Sequence, residues 1–243
     1  MLTEKEKKRY SRQILSSSIG EEGQEKLGKI NVLQIGAGGL GSPFALYLTA
    51  AGIQELRIVD NDTISLSNLQ RQILYRENQI DKVKIDIAKT ELENLNSEVT
   101  IKTYQDYVDE QSIEKYIDDV DFIVDCSDNF KTKFLVNRTA IKHNIKCVVA
   151  GIKEFFGQII TINPEDTACY ECVFSEQDLE KEEKTILPVI GATAGVLGTL
   201  EAVEVIKTAL GLPNLYNKLL VANLLEHSYN IIDVVKNKKC ICC

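Results

Sequence analysis

The mainly apolar run Ile30–Ile35 leads straight into Gly36-Ala-Gly-Gly-Leu-Gly41. Few folds accept a strand that ends in a GxGxxG turn. The glycines let the backbone double back, and the helix that follows presents its N-terminus to a phosphate. Asp60 lies 19 residues after Gly41, at the end of the next apolar stretch, Glu55–Asp60. A carboxylate in that place can bind ribose hydroxyls. The plain alternative is a tight strand-to-helix turn without a ligand, and the spacing of Asp60 argues against it.

A second segment, Ser67-Asn-Leu-Gln-Arg-Gln72, follows Asp60 closely. It brings Asn68 and Arg71 toward the same place. A dinucleotide site that donates hydride has no use for a polar, cationic loop there, whereas phosphorus chemistry does. Lys84 opens the next predicted helix and joins Arg71 as a candidate phosphate ligand. Lys82 competes for that role, and Arg71 and Lys84 can also be read as solvated surface residues. Asp128 follows the fourth predicted strand in Cys126-Ser-Asp-Asn129. It is a candidate Mg²⁺ ligand, or a helix N-cap, a task that Asn129 would perform equally well.

The remaining pattern predicts one doubly wound, mostly parallel sheet with an antiparallel C-terminal extension, a Rossmann-like α/β fold. Charged helix is expected over 3–16 and a short helix over 20–28. Strands are expected at Ile30–Ile35, Glu55–Asp60, Val99–Thr103, Asp121–Cys126 and Lys146–Ala150, with helices following the glycine turn, over Val83–Leu95 and near 130–143. After Gly151, strands are expected at Phe156–Ile162, Lys218–Leu225 and Tyr229–Val235, with a long helix over Ala192–Leu210. The 243 residues then form a single domain, with 1–151 as the nucleotide-binding half and 152–243 as the extension. Ser175–Lys184 is acidic and is expected to be a solvated, mobile loop.

A formal charge of −8 argues against a nucleic-acid partner. No run approaches 18 apolar residues, and the N-terminus lacks the apolar stretch of a signal peptide. A cytoplasmic location with reduced thiols is therefore expected. Among seven cysteines, Cys169-Tyr-Glu-Cys172 and Cys240-Ile-Cys-Cys243 form two CxxC pairs. They suit a structural four-cysteine Zn²⁺ site, formed by Cys169, Cys172, Cys240 and Cys243, with Cys242 spare. A redox CxxC is the rival reading, but it would not need the second pair. Cys126 and Cys147 lie in apolar strands and are read as inert core residues.

Together these segments resemble the ThiF/MoeB/HesA adenylyltransferases, relatives of the ubiquitin-activating enzymes. The resemblance rests on Arg9-Tyr-Ser-Arg-Gln13, Gly36–Ser42, Asp60-Asn-Asp62, Leu66–Gln72, Asp125-Cys-Ser-Asp-Asn129, Phe156-Gly-Gln158 and both cysteine pairs. It implies binding of ATP–Mg²⁺ and attack of a carboxylate on the α-phosphate, giving an acyl adenylate and pyrophosphate. It assigns phosphate binding to Asn68, Arg71 and Lys84, ribose binding to Asp60 and assistance with Mg²⁺ to Asp128. It also implies a homodimer in which Arg12 reaches ATP in the partner subunit.

Two departures stand out. Sulfur-carrier-activating members often have a reactive cysteine in the loop before the late helix, and residues 173–191 contain none. Asp81 stands where the family often has Gly. The acceptor implied is the C-terminal Gly-Gly of a ubiquitin-like sulfur carrier protein. The alternative is a small-molecule carboxylate, as in guanylylpyridinol activation, which the missing cysteine favours. The chain closes on the second cysteine pair, so no appended sulfurtransferase domain is expected. Two other classes fit the residues less well. An NAD-dependent oxidoreductase leaves Arg71 unexplained and gives His143 and His227 no motif context. A scaffold that keeps ATP without turnover would not need Arg71, Lys84 and Asp128 together.

Overall fold

The computed structural model describes residues 1–175 and 188–243. Most of the expected acidic loop at Ser175–Lys184 lies outside the described residues. One eight-stranded sheet runs through both halves of the chain. Its strands are β1 (Asn31–Ile35), β2 (Glu55–Val59), β3 (Thr100–Tyr104), β4 (Phe122–Asp125), β5 (Lys146–Lys153), β6 (Phe156–Ile162), β7 (Lys218–Asn223) and β8 (Ser228–Asp233). Their spatial order is β3-β2-β1-β4-β5-β6-β7-β8. Strands β1 to β5 pair in parallel, and β5 to β8 pair antiparallel. The expected parallel sheet with an antiparallel extension is the fold that forms.

Chain direction across the sheet reverses beside β1. The run β1-β2-β3 grows one way, and β4 then returns to the other side of β1. The crossovers from neighbouring strands therefore part at the carboxyl ends of β1 and β4 and leave a crevice there. Every residue of β1 and β4 is buried, as expected for parallel strands covered on both faces.

On one face, α4 (Gly41–Ala51), α5 (Lys84–Leu95) and α8 (Gly191–Ala209) cover the sheet. Phe44, Leu48, Leu92, Leu197 and Val205 meet Val32, Leu56, Val124 and Ile159 there. The opposite face packs α6 (Phe130–His143) and the segment around Ile113 and Tyr116 against Leu33, Ile123 and Cys147. Full burial of a side chain such as Phe44 or Leu33 contributes roughly 1.5–3 kcal/mol.

Three local expectations need correction. The helix expected over 3–16 is two helices, α1 (Glu4–Arg9) and α2 (Ser11–Ile14). They break at Tyr10, whose φ of −93° and ψ of 11° are not helical. Tyr10 is buried, and its hydroxyl accepts a hydrogen bond from Asn96 Nδ2 at 2.9 Å. Burial of this ring outweighs continuation of a helix with no buried residue of its own. The expected 20–28 helix forms as α3 (Gly20–Leu27). Strand β5 extends past Ala150 to Lys153, because its last residues pair with β6 in a tight hairpin. A single helical turn, α7 (Tyr170–Val173), follows Cys169 and was not expected.

Candidate nucleotide site and cysteine cluster

Two of the glycines are required by the turn's geometry. Gly36 has φ +93°, and a Cβ there would lie 2.9 Å from the Cys126 carbonyl oxygen. A Cβ at Gly41 would sit 2.2 Å from the Gly36 carbonyl oxygen. Any side chain would push this chain crossing apart. No side chain caps the N-terminus of α4; Ser42 N–H donates to the Gly38 carbonyl at 2.9 Å and Pro43 has no N–H, so an anion there meets the helix dipole and the N–H groups of the turn that precedes it. Asp60 closes the turn from the neighbouring strand. Its Oδ2 accepts Ala37 N–H at 2.7 Å and its Oδ1 accepts Asp62 N–H at 2.9 Å.

Two cations reach this turn. Lys84 is 3% exposed, although it opens a helix. Its Nζ donates to Asp62 Oδ2 at 2.8 Å and stands 4.0 Å from Asp60 Oδ1. Lys82 is exposed, so the geometry brings Lys84, not Lys82, to the acidic pair. Arg71 leaves a 3-10 turn at Leu66–Asn68 and packs its methylenes over Gly39, where a Cβ would lie 3.3 Å from Arg71 Cγ. Its guanidinium donates to the Ser67 carbonyl at 3.0 Å. Asn68 shapes that turn, with Oδ1 accepting Ser65 N–H at 3.2 Å. Asp81, the departure from the family pattern, adopts φ +67° and donates its N–H to the Ile64 carbonyl at 2.8 Å. This left-handed conformation favours glycine and is tolerated by aspartate.

The rival roles of Asp128 and Asn129 separate cleanly. Asn129 caps α6, its Oδ1 accepting Thr132 N–H at 2.9 Å. Asp128 has no part in that cap and is exposed at the carboxyl end of β4. The loop carrying it is held from beneath by a buried network that sequence reasoning missed. Lys133 Nζ donates to Asp125 Oδ2 at 2.6 Å, to the Ala150 carbonyl at 2.6 Å and to the Ser127 carbonyl at 2.9 Å. Ser127 Oγ donates to Asp125 Oδ1 at 2.6 Å. Burial pushes the Asp125 carboxyl upward, against the pull of Lys133. The available signal was a lysine one face of a helix away from an aspartate at a strand end.

Glu201 lies across the sheet from this pair. It is fully buried, its Oε1 has no hydrogen-bond partner, and Oε2 meets the Cys126 thiol at 3.7 Å. Burial, reinforced by the charge on Asp125, holds its carboxyl well above the ordinary range. Its signal was a carboxylate within the apolar stripe Ala194, Leu197, Ala202 and Val205 of α8. Burial also raises the thiols of Cys126 and Cys147, which accords with their reading as unreactive core residues.

Arg12 lies elsewhere. Gln13 Nε2 donates to the Ala51 carbonyl at 3.2 Å, and Arg9 Nη1 donates to the Leu95 carbonyl at 3.0 Å. Those carbonyls end α4 and α5, whose first residues are Gly41 of the turn and Lys84 beside the Asp60–Asp62 pair. Helices of 11 and 12 residues span about 16–18 Å at 1.5 Å per residue. Exposed Arg12 therefore sits at the opposite end of the sheet from its own chain's glycine turn.

The two CxxC pairs meet in space. The sulfurs of Cys169, Cys172, Cys240 and Cys243 all lie within 4.8 Å of one another. The separations for 169–172, 169–240 and 172–243 are 3.8, 3.6 and 3.5 Å. Tetrahedral Zn–S bonds of ~2.3 Å set sulfurs about 3.8 Å apart, so the cluster could hold Zn²⁺. Cys242 is turned to Asn137, whose Nδ2 donates to its sulfur at 3.3 Å.

No helix among the described residues is long and apolar enough to cross a membrane. The ThiF family model matches residues 10–242. The sulfur carrier protein adenylyltransferase of Thermus thermophilus is 34% identical over 249 residues, covering 99% of this chain and 92% of that protein. The adenylyltransferase and sulfurtransferase MOCS3 of Xenopus laevis is 37% identical over 240 residues, 97% of this chain. The chain spans only 53% of that protein's length, and 66% of the length of a probable molybdopterin-synthase adenylyltransferase of Gracilaria tenuistipitata. The crystal structure of E. coli MccB with ATP superposes with a TM-score of 0.86 at 26% identity, covering 97% of this chain and 74% of that one. With the glycine turn, the Asn68–Arg71 loop and the paired cysteines all in place, this chain belongs to the ThiF family.

Proposed function

We propose that the protein is an adenylyltransferase that uses ATP–Mg²⁺ to activate a carboxylate as an acyl adenylate. The observation that carries the reading is the meeting of buried Lys84 and of Arg71 with the glycine turn that Asp60 closes. Asp60 binds the ribose, and the turn with Asn68, Arg71 and Lys84 binds the phosphates. Asp128, free of capping, fits a hard dication with one carboxylate and substrate phosphates. Bound Mg²⁺ would neutralise phosphate charge. An oxygen of the acceptor carboxylate attacks the α-phosphorus, the bond to the β-phosphate bridging oxygen breaks, and pyrophosphate leaves. Arg71 and Lys84 stabilise the charge that builds on the α-phosphate and on the leaving group.

The acceptor is the C-terminal Gly-Gly of a sulfur carrier protein, a reading supported by the names of the relatives. The absence of cysteine from residues 173–191 favours a second reading, a small-molecule carboxylate. Under either, no thioester or persulfide forms on that loop, and the acyl adenylate waits for an external nucleophile. The position of Arg12 supports a homodimer in which each subunit completes its partner's site. Cys169, Cys172, Cys240 and Cys243 hold a structural Zn²⁺ with no open catalytic position.

Carrier-dependent ATP–pyrophosphate exchange tests the activity. Arg71→Ala should lower exchange by about 30- to 1000-fold, corresponding to ~2–4 kcal/mol of transition-state stabilisation. Exchange that is silent with every carrier, but restored by a small acid, selects the second reading. Intact-mass analysis after turnover should show no reductant-labile conjugate. Mixing Arg12→Ala with Arg71→Ala subunits should restore part of the exchange by rebuilding one intact site per heterodimer. No recovery after confirmed subunit exchange would place Arg12 in its own subunit's site.

A further inference from the structure

The glycine turn is gripped from behind by side chains that the chemistry above does not use. Gln34 is fully buried near the carboxyl end of β1. Its Nε2 donates to the Gly36 carbonyl at 2.8 Å and to the Gly41 carbonyl at 3.2 Å. Tyr75 OH donates to the Ala37 carbonyl at 2.9 Å, and Ser42 Oγ donates to the Gly38 carbonyl at 2.8 Å. Burial and the charges of Asp60 and Asp62 keep the Tyr75 phenol protonated, hence a donor.

A trans peptide plane carries its C=O and the following N–H on opposite edges. Pulling the Ala37 carbonyl inward therefore turns Gly38 N–H outward, and pulling the Gly38 carbonyl inward does the same for Gly39 N–H. Neither of those N–H groups has a protein acceptor among the described residues. The 36–37 peptide is held at both edges, its carbonyl by Gln34 and its N–H by Asp60. Gln34 Oε1 has no partner. Burying an amide with an unpaired oxygen is unfavourable, so an apolar residue of the same size would suit the strand better. What the amide supplies is its two donors, aimed at the first and last glycine of the turn.

We propose that Gln34 is a positioning residue for phosphate recognition. Together with Asp60, and with Tyr75 and Ser42 behind the next two carbonyls, it pre-sets the outward N–H groups that receive the triphosphate. The inference rests on the ATP reading above and deepens it. It assigns the phosphate turn's preorganisation to a residue in the apolar strand.

The test is displacement of a fluorescent ATP analogue from the full-length protein by ATP–Mg²⁺ and, separately, by adenosine. Gln34→Met keeps the chain length and removes both donors. ATP–Mg²⁺ should bind about tenfold more weakly, and adenosine, which lacks phosphates, within twofold of the parent. Equal weakening of both ligands would reduce Gln34 to a general structural residue and overturn the proposal, as would no change in either. Should Gln34→Met not fold, Tyr75→Phe removes the adjacent grip without disturbing the core, and the same selective loss is expected. Equal loss, or none, there also refutes the proposal. Failure of the ATP reading shows separately, because the unaltered protein would then bind neither the analogue nor ATP.

Discussion

At the carboxyl end of β1, the glycine turn is shaped by protein groups alone, with its carbonyls bonded to Gln34, Tyr75 and Ser42 and the Ala37 N–H bonded to Asp60. At the end of the chain, four cysteine sulfurs gather within 4.8 Å, with one another as close neighbours. The turn is already formed, its carbonyls and the Ala37 N–H held in place. The cluster joins two segments, 169–172 and 240–243, that no strand pairing holds together. Four thiols crowded in this way gain little from one another, whereas four thiolates on Zn²⁺ gain a great deal. The difference separates a turn whose shape is held by its own protein contacts from a cluster of thiols whose order an ion would supply.

The largest effect that would break this contrast concerns the metal. Zinc chelation, or Cys172→Ser, should remove on the order of 10 kcal/mol of ligand-ordering free energy. The C-terminal segment should then become protease-sensitive, and the unfolding temperature should fall. Metal analysis should show one zinc per chain in the parent and in Cys242→Ser, and loss in Cys172→Ser and Cys243→Ser. Zinc retained in both of those, with loss in Cys242→Ser, would reassign the ligands.

Next in size is the network under the Asp128 loop. Lys133→Met leaves Asp125 fully buried without its cation, and breaking a buried pair in this way costs about 3–5 kcal/mol. Urea denaturation measures it. A loss below about 1 kcal/mol would show that the nucleotide end does not depend on its internal pairing, and the contrast with the cysteines would weaken.

Glu201 gives a pH-dependent effect that is absent at low pH and grows as pH rises. Its carboxyl is raised in the folded state, chiefly by burial. Above the ordinary carboxylate range the unfolded chain releases this proton while the folded one keeps it. Rising pH therefore favours unfolding, by about 1.4 kcal/mol per pH unit, until the folded group itself ionises. Glu201→Gln does not titrate, so its stability advantage should grow between pH 5 and pH 8. An advantage that is flat or shrinks over that range would mean that Glu201 is ionised in the native protein.

The smallest effect is at Asp81. Its left-handed backbone costs a non-glycine residue ~1–2 kcal/mol, and glycine's greater freedom in the unfolded chain offsets about half of that. Asp81→Gly should therefore raise stability by less than about 1 kcal/mol. A net loss in thermal denaturation would reveal a side-chain role for Asp81 beside the Lys84 helix.

Legibility in the sequence followed the range of the interaction. The strand, glycine turn and following helix were readable because all three arise within some twenty residues. The same holds for the CxxC pairs, whose members are neighbours in sequence. Lys84 and Lys82 were equivalent on the page of residues. Only the bridge that folds Thr63 back against Val83, with the Lys84 N–H bonded to the Asp62 carbonyl at 3.0 Å, chose between them. Asp128 and Asn129 were likewise equal candidates for the cap until the first turn of α6 took Asn129. Gln34 and Lys133 passed unnoticed because a single polar side chain gives no period to read, and most of their partners are carbonyl groups that any sequence contains.

By itself the sequence determined the alternation of strands and helices, the phosphate turn and the chemistry of the groups available to it. Those follow from local sterics, from hydrophobic period and from residue type. Tertiary structure decided which of those groups meet. The reversal of direction beside β1 set Asp60, Lys84 and Arg71 around one turn and placed Arg12 at the other end of the sheet. It also brought cysteines separated by 67 residues into one cluster. Such meetings depend on how whole elements pack, and packing sums many weak contacts across the chain, so no local stretch of residues encodes them.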